Sequence, residues 1–257
     1  MTKSIAVAIM FATLVAPAGA QTSGTAPIEV PLSVHGGRLV VPVEAADGSE
    51  LQFVLSSGSG QTVFTDSLAA KLGDSPRLSM GGAVVPTDAI HTVEDEELLV
   101  DGRQLAGMIG ANMLNQFDVL VDVPGGRLIL KPTGRSVDWE GVELSEPVRV
   151  LVLHGIVLSF DVELEGRRYP ATLDLGTPML VVNEGVQADT LIEDEDEVTL
   201  SLGGARLSGV PVRVLDLEIL RRWSPDGDGF VMVGAPLAYD CAISISWVHR
   251  EIRTCVR

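Results

Sequence analysis

The chain has 257 residues, of which 46% are hydrophobic and only 4% aromatic, so it can bury a sizeable core built mainly of aliphatic side chains. Its formal net charge at pH 7 is −17, from 18 basic and 35 acidic residues. A surface this acidic repels phosphate backbones and anionic lipids, which argues against nucleic acid and membrane surfaces as partners.

The first 20 residues have the features of a secretory signal. Lys3 precedes an apolar run over residues 5–15, and Ala18 and Ala20 supply small side chains at the expected cleavage point. The run is shorter than the roughly 20 residues that a membrane-spanning helix requires. A buried helix or a membrane anchor is the competing interpretation. We therefore expect cleavage after Ala20 and an exported protein, periplasmic or secreted, without membrane insertion.

The rest of the chain has the pattern of short alternating strands between Gly, Asp and Pro residues. Predicted strands cover residues 30–34, 39–43, 51–55, 119–123, 127–130, 148–153, 157–164, 171–173 and 198–202. Predicted helices are brief and cover residues 66–72, 111–117 and 217–223. Many short strands at regular spacing are typical of a β-barrel or β-sandwich, so the predicted fold class is all-β with few short helices.

The two halves of the chain repeat the same order of landmarks. Residues 34–65 and 153–183 each contain His-Gly, a strand, an acidic-Gly turn, a second strand, a turn of small residues and a third strand. Later, Met-Ile-Gly-Ala at 108–111 corresponds to Met-Val-Gly-Ala at 232–235, and a helical patch and two strands follow each. The sequence therefore predicts a tandem duplication.

The duplication sets the expected domain organisation. We expect a first lobe over residues 27–131, a linker over 132–147 and a second lobe over 148–257.

The spacing of the landmarks pairs Ser56 with Asp174. His35 lies 21 residues before Ser56, and His154 lies 20 residues before Asp174. The two residues therefore occupy the same place in the two repeats.

At these positions the chain resembles the aspartic proteases, whose catalytic turn has the sequence Asp-Thr-Gly and is backed by apolar residues and a glycine. In the second half the matching residues are the turn Asp174, Leu175, Gly176 and Thr177, with the apolar-Gly element Val233 and Gly234. In the first half they are Ser56, Ser57, Gly58 and Ser59, with Ile109 and Gly110. The resemblance is to the retropepsin-like and pepsin-like fold, in particular to exported two-lobe bacterial members, and covers residues 27–257. It implies two tandem β-barrel lobes with a cleft between them.

The chemistry of that family explains the residue types in the turn. One aspartate from each lobe faces the other, and the two carboxylates share a proton because like charges so close cannot both ionise. The charged member activates a water molecule, while the protonated member supports the developing oxyanion. Glycine beside each aspartate allows a sharp turn and close approach. The threonine between them hydrogen-bonds to the opposite turn.

This sequence departs from the family pattern at two positions. Ser56 stands where the resemblance requires the first aspartate, so no second carboxylate shares a proton with Asp174. Leu175 stands where the second turn has threonine, so one of two reciprocal hydrogen bonds is lost, while Ser57 can still donate the other.

Two functional hypotheses follow from the incomplete pair. In the first, the chain is a peptide-binding pseudo-protease, or a very weak protease, whose cleft holds an extended peptide by strand-like hydrogen bonds. In the second, it is an active periplasmic aspartic endopeptidase that hydrolyses peptide bonds through Asp174. Neither Asp66 nor Asp118 lies on the turn that would face Asp174, so neither is expected to replace the missing carboxylate. The resemblance implies no cofactor and no metal. We expect a monomer, because the first lobe occupies the place of a second copy.

Cys241 and Cys255 flank two alternating runs around a turn at residues 248–250. A hairpin of this kind places them nearly opposite each other, and disulfides persist in exported proteins. A disulfide is expected, with two free thiols or a metal site as the alternatives.

Two acidic runs lie at residues 94–97 and 193–197, at what the sequence suggests are matching places in the two lobes. We interpret them as solvated loops, with binding of a cation or a basic partner as the alternative.

Overall fold

The computed structural model describes residues 26–73, 76–87, 90–134, 137–215 and 228–255. Across these ranges the chain is mostly β-strand with a few short helices, so the all-β prediction is confirmed. The expected signal at residues 1–20 and the predicted helix at 217–223 lie outside the described residues. Within the described ranges, no helix is both long enough and apolar enough to cross a bilayer.

The first half contains short strands and two short α-helices. Its strands are β1 (Ile28–Pro31), β2 (Ser33–His35), β3 (Arg38–Ala45), β4 (Glu50–Leu55), β5 (Val63–Thr65), β6 (Leu78–Met80), β7 (Ala83–Val84), β8 (His91–Val93), β9 (Leu99–Val100), β10 (Arg103–Gln104), β11 (Gly107–Ile109), β12 (Phe117–Asp122) and β13 (Arg127–Pro132). Its helices are α1 (Asp66–Leu72) and α2 (Ala111–Leu114), with a 3₁₀ turn at Asp95–Leu98.

The second half follows a similar order. Its strands are β14 (Val148–Arg149), β15 (Leu151–Leu153), β16 (Val157–Leu164), β17 (Arg167–Leu173), β18 (Leu180–Val182), β19 (Glu197–Leu202), β20 (Ala205–Val214), β21 (Val231–Val233), β22 (Ile243–Ser246) and β23 (Glu251–Thr254). Its described helices are α3 (Glu184–Thr190) and α4 (Pro236–Tyr239).

Each half builds its own sheet. In the first half the strand order is β7-β6-β3-β4-β11-β5-β8, with β2 paired to β3. In the second half it is β15-β16-β17-β21-β18-β20-β19, and β16 also pairs with β19, which closes the sheet into a barrel. The long strand β20 pairs with both β19 and β18. In the first half two short strands take its place, because β7 pairs with β6 and β8 pairs with β5.

A third sheet joins the two halves in the order β1-β13-β12-β22-β23-β14. Three strands come from each half, and neighbouring strands are antiparallel. The central pair sets Asp118 of β12 opposite Ser246 of β22. The strand order is the same from either end once the halves are exchanged, so the shared sheet has an approximate two-fold symmetry that relates the lobes.

Strand β16 shows why such sequences form half-buried strands. Leu158, Phe160 and Val162 are buried, whereas the intervening Asp161 and Glu163 are exposed. Successive side chains of a strand point to opposite faces, so this alternation gives one apolar face. The apolar faces of both halves form one continuous core, built mainly of Val, Leu and Ile side chains.

Two predicted strands, 30–34 and 148–153, are each divided in the structure, at Leu32 and at Val150. At both points the chain leaves the shared sheet and enters the sheet of its own half. The backbone N–H of Leu32 donates a 2.9 Å hydrogen bond to the β12–β13 turn, and that of Val150 donates a 3.0 Å bond to the β22–β23 turn. The apolar pattern continues through this change of partner, so each pair of strands looks like one strand in the sequence.

Two further sequence predictions need correction. The predicted helix at 111–117 ends at Leu114, because Phe117 already begins β12. The acidic runs are not at matching places: residues 94–97 follow β8, whereas residues 193–197 lead into β19, the counterpart of β6. The two runs looked equivalent because both are acidic, but they lie at different places in the order of the strands.

A repeat that sequence reasoning missed is the hairpin Ser-Met-Gly-Gly-Ala at 79–83 and Ser-Leu-Gly-Gly-Ala at 201–205. The first glycine of each turn has positive φ, 58° at Gly81 and 59° at Gly203, as tight two-residue hairpin turns require. A Cβ atom there would come within 2.5 Å of β1 in the first half and 2.9 Å of β14 in the second. The two hairpins therefore pack against equivalent edge strands of the shared sheet.

Cys241 and Cys255 form a disulfide that closes the β22–β23 hairpin, which confirms the prediction. Their Cα atoms lie 5.4 Å apart, and the intervening turn spans residues 247–250. The bond ties the end of β23 to the residue that leads into β22.

Candidate functional site

The Ser56 and Asp174 turns begin at the ends of two equivalent central strands. Ser56 follows β4, which lies between β3 and β11, and Asp174 follows β17, which lies between β16 and β21. The backbone N–H of Ser56 donates to the carbonyl of Ile109, and that of Asp174 donates to the carbonyl of Val233, both at 2.9 Å. The apolar-Gly elements expected from the sequence therefore lie directly beside the turns, on strands parallel to those that carry them.

Gly110 and Gly234 let the chain pass close behind the turns. A Cβ atom on Gly110 would lie 2.2 Å from the carbonyl oxygen of Gln61, and one on Gly234 would lie 2.1 Å from that of Met179. No side chain fits at either place, because backbone atoms cannot move aside as a flexible side chain can. Only glycine is compatible with this approach.

The two turns meet across the boundary between the lobes. The hydroxyl of Ser56 donates a 2.9 Å hydrogen bond to Oδ1 of Asp174. Ser56 is 2% exposed and Asp174 is 7% exposed. The structure therefore brings together the two residues that the repeat had paired.

Both oxygens of the Asp174 carboxylate accept hydrogen bonds. Oδ1 accepts from the Ser56 hydroxyl and from the backbone N–H groups of Gly58, at 3.2 Å, and Gly176, at 3.0 Å. Oδ2 accepts from the Thr177 hydroxyl at 2.9 Å. Four donors, two from each turn, therefore converge on this one side chain. The carboxylate is therefore held rigidly, with donors from both lobes.

Gly58 and Gly176 allow the turns to approach each other. A Cβ atom on Gly58 would lie 2.5 Å from Cγ of Asp174, and one on Gly176 would lie 2.8 Å from Cβ of Ser56. Any larger residue at either position would separate the turns.

Ser57 makes half of the reciprocal contact between the turns. Its hydroxyl donates to the carbonyl of Leu173 at 3.0 Å and accepts from the N–H of Leu175 at 3.1 Å. The side chain of Leu175 is fully buried and has no polar atom with which to return the contact. The hydroxyl of Ser59 donates within its own loop, to the carbonyl of Gln61 at 2.7 Å.

Sequence reasoning missed Arg38, which reaches the Asp174 turn from the other lobe. Its Nη1 donates a 3.1 Å hydrogen bond to the carbonyl of Gly176, which places the guanidinium beside the Asp174 turn. Burial lowers the pKa of Arg38, while the negative charge of Asp174 raises it. The repeat holds a signal that could have found it, because the counterpart of Arg38 in the second half is the apolar Val157.

Tyr239 makes a second bridge between the lobes at the same hairpin. Its hydroxyl donates a 2.5 Å hydrogen bond to the carbonyl of Gly37, at the β2–β3 turn. Gly37 has a φ of 72°, and a Cβ atom there would lie 2.9 Å from Cβ of Pro178. Burial raises the pKa of Tyr239. The β2–β3 turn of the first lobe therefore rests directly beside the Asp174 turn.

The other two aspartates considered from the sequence do not belong to this site. Asp118 accepts a 2.6 Å hydrogen bond from Ser246 within the shared sheet, and Asp66 begins α1. Among the described residues, no group of three or more His, Cys, Asp or Glu side chains could hold a metal ion. A pocket of about 380 Å³ between β14, β16 and β19 contains no residue of either turn, and Arg149, Glu163 and Arg168 are among its lining residues.

Comparisons with known proteins identify the fold. No protein-family model and no curated protein matches the sequence. The crystal structure of aspartic proteinase from Irpex lacteus is similar to this chain with a TM-score of 0.56, over 90% of this chain and 97% of that one, at 9% sequence identity. The similarity shows a pepsin-like fold that extends over most of the chain.

Proposed function

We propose that this chain is an exported pseudo-protease that binds an extended peptide in the cleft between its two lobes. The observation that carries the proposal is the 2.9 Å hydrogen bond from the Ser56 hydroxyl to Asp174, because Ser56 stands where an aspartic protease has its first catalytic aspartate. The pepsin-like fold and the facing turns support a relation to proteases.

The site has one of the two carboxyl groups that an aspartic protease uses, with Ser56 at the position of the other. An aspartic protease needs one carboxylate to take a proton from water and a second carboxyl group that carries a proton. Here Ser56 supplies a hydroxyl whose proton is directed at Asp174, and the N–H of Ser59 donates to the same hydroxyl oxygen at 3.1 Å. Asp174 is therefore engaged in holding the turns together, and none of its hydrogen-bond partners among the described residues is a carboxyl group.

The framework around the site is nevertheless intact. Glycines 58, 110, 176 and 234 all remain at positions where a side chain would clash. These residues preserve the approach of the two lobes, which is the feature that forms a cleft. A cleft bordered by strands can hold an extended peptide through backbone hydrogen bonds, without any chemical step.

The proposal is tested with a fluorescently labelled pool of mixed ten-residue peptides and the full chain. Binding is measured by fluorescence anisotropy, and the location is mapped by hydrogen exchange. We expect saturable binding, intact peptides on recovery, and protection concentrated at the segments 56–60 and 174–178. The same measurements are made on the variant Asp174→Asn. Its matched control is Asp161→Asn, which changes an exposed carboxylate on β16.

Two results would contradict the proposal. The first is an absence of binding, or protection confined to segments remote from both turns. The second is recovery of cleaved peptides by the parent chain but not by Asp174→Asn, which would support an active aspartic endopeptidase instead.

A further inference from the structure

The β2–β3 turn places a positive charge beside the Asp174 turn. Arg38 is the first residue of β3, and its side chain crosses to the second lobe and donates to the carbonyl of Gly176 at 3.1 Å. The N–H of Gly176 donates in turn to Asp174 at 3.0 Å. Arg38 thus contacts the same residue that holds one oxygen of the carboxylate.

The position of Arg38 is fixed by more than its own hydrogen bond. Tyr239 binds the carbonyl of the preceding residue, Gly37, and Pro178 packs against the same glycine. The hairpin therefore has little freedom to withdraw the guanidinium. Arg38 is also half-buried, and an arginine side chain keeps its charge in proteins, so the site holds a cation in a partly desolvated place.

The fold itself does not require this cation. The equivalent position of the second lobe holds Val157, which is 8% exposed and carries no charge. The two-fold arrangement of the lobes thus tolerates an apolar residue here. Only the first lobe therefore places a positive charge at this position, and it does so beside the Asp174 turn.

We propose that Arg38 is a positioning residue that, bound to the carbonyl of Gly176, places a positive charge near the Asp174 carboxylate, and that it is a second barrier to protease chemistry besides Ser56. This inference rests on the proposed function, since it concerns the same site. It implies that placing an aspartate at position 56 gives two carboxylates and a guanidinium, and not two carboxylates that share a proton.

The physical reason lies in what makes two carboxylates share a proton. They do so because two negative charges at close range cannot both be present at low cost. A cation beside them offsets the second negative charge and favours the doubly ionised form. The doubly ionised form has no carboxyl proton to give, so it lacks the acid that the reaction needs.

The first test compares cleavage of a peptide pool by Ser56→Asp/Leu175→Thr and by the same double variant with Arg38→Leu, Arg38→Gln or Arg38→Lys. We expect the upper pH limit of activity to move upward by about one pH unit or more when the charge is removed, the size of effect that an opposite charge exerts. Arg38→Lys keeps the charge and should behave like the double variant. Arg149→Leu is the matched control, because Arg149 also donates to a backbone carbonyl but lies far from the site.

A second measurement does not depend on cleavage. The melting temperature is followed from pH 3 to pH 7 for the parent and for Ser56→Asp/Leu175→Thr, each with and without the Arg38→Leu substitution. We expect Arg38→Leu to lower the melting temperature most at pH 7 in the double variant, where two carboxylates are left without the cation, and least at pH 3.

Equal losses in both backgrounds and at both pH values would overturn the inference, since a purely structural role predicts them. An unchanged pH profile of cleavage on removal of Arg38 would also overturn it. The proposed function fails on a different result, namely cleavage by the unaltered chain that depends on Asp174.

Discussion

The two turns have the same backbone arrangement but different side chains, and the comparison separates what the fold needs from what the chemistry needs. In both lobes the turn follows a central strand, is hydrogen-bonded to a neighbouring apolar strand and is backed by a glycine that no other residue can replace. Ser56 and Asp174 then differ in a single functional group. The glycines and backbone bonds of the two-lobed form are present in both turns, whereas Ser56 offers a hydroxyl where Asp174 offers a carboxylate.

The largest effect is expected where the lobes are most alike. Gly110→Ala and Gly234→Ala would each place a Cβ atom within about 2.2 Å of a backbone oxygen, so each should lower the free energy of unfolding by about 3 kcal/mol. Chemical denaturation measures both. Gly134→Ala is the control, because a Cβ atom there meets only a carbonyl at 3.8 Å, and a change within about 0.5 kcal/mol is expected. If alanine were tolerated at one of these glycines but not at the other, the two positions would not be equivalent in the two lobes.

A second prediction concerns the residues that differ. Asp174→Ala leaves the donors of Ser56, Gly58, Gly176 and Thr177 without their acceptor and should cost about 2 kcal/mol of stability. Ser56→Ala removes one donor and should cost about 1 kcal/mol. Thermal and urea unfolding of both variants provide the comparison. If Ser56→Ala proved the more damaging of the two, Asp174 would not be the centre of the contact between the lobes.

The one-sided contact of Ser57 gives a smaller effect. Ser57→Ala removes the partner of the Leu173 carbonyl and of the Leu175 N–H, so a loss of about 1 kcal/mol is expected. Ser33→Ala is a suitable control, because Ser33 donates to a backbone carbonyl at 3.4 Å from a more exposed position. Equal unfolding free energies for the two variants would show that the surviving half of the contact contributes nothing to stability.

The smallest effect is the pH dependence of the Tyr239 bridge. Burial raises the pKa of Tyr239 in the folded state, so the unfolded chain loses this proton first as the pH rises. The stabilisation is fully present below the unfolded value of about 10 and is lost as pH rises through the folded pKa. Tyr239→Phe should therefore flatten the decline of the melting temperature above about pH 10. A decline of the same steepness in both proteins would assign the alkaline transition to other groups.

Much of this architecture could be predicted from the sequence, because it depends on local patterns. Apolar alternation located β3, β4, β16 and β17, which carry or flank the two turns, and the repeated landmarks paired Ser56 with Asp174. The disulfide followed from a hairpin with a cysteine at each end. Each of these features is set by residues close together in the chain or by an ordered repeat.

What the sequence did not predict depends on contacts between distant segments. Arg38 lies 138 residues before the carbonyl to which it donates, and no local pattern marks such a pairing. The divided strands at Leu32 and Val150 reflect a change of sheet that leaves the apolar periodicity intact. The acidic runs looked equivalent because they share composition, although different strands precede them.

We propose that the two lobes keep their contact through Ser56 and Asp174 without the pair of carboxylates that aspartic proteases use. The most direct test is a time course of peptide cleavage, followed by mass spectrometry at pH 3.5, 5 and 7, for the parent chain and Asp174→Ala. We expect the two proteins to leave the peptide pool equally intact at every pH. Cleavage by the parent that disappears in Asp174→Ala, with both proteins folded, would contradict it and identify the single aspartate as sufficient for hydrolysis.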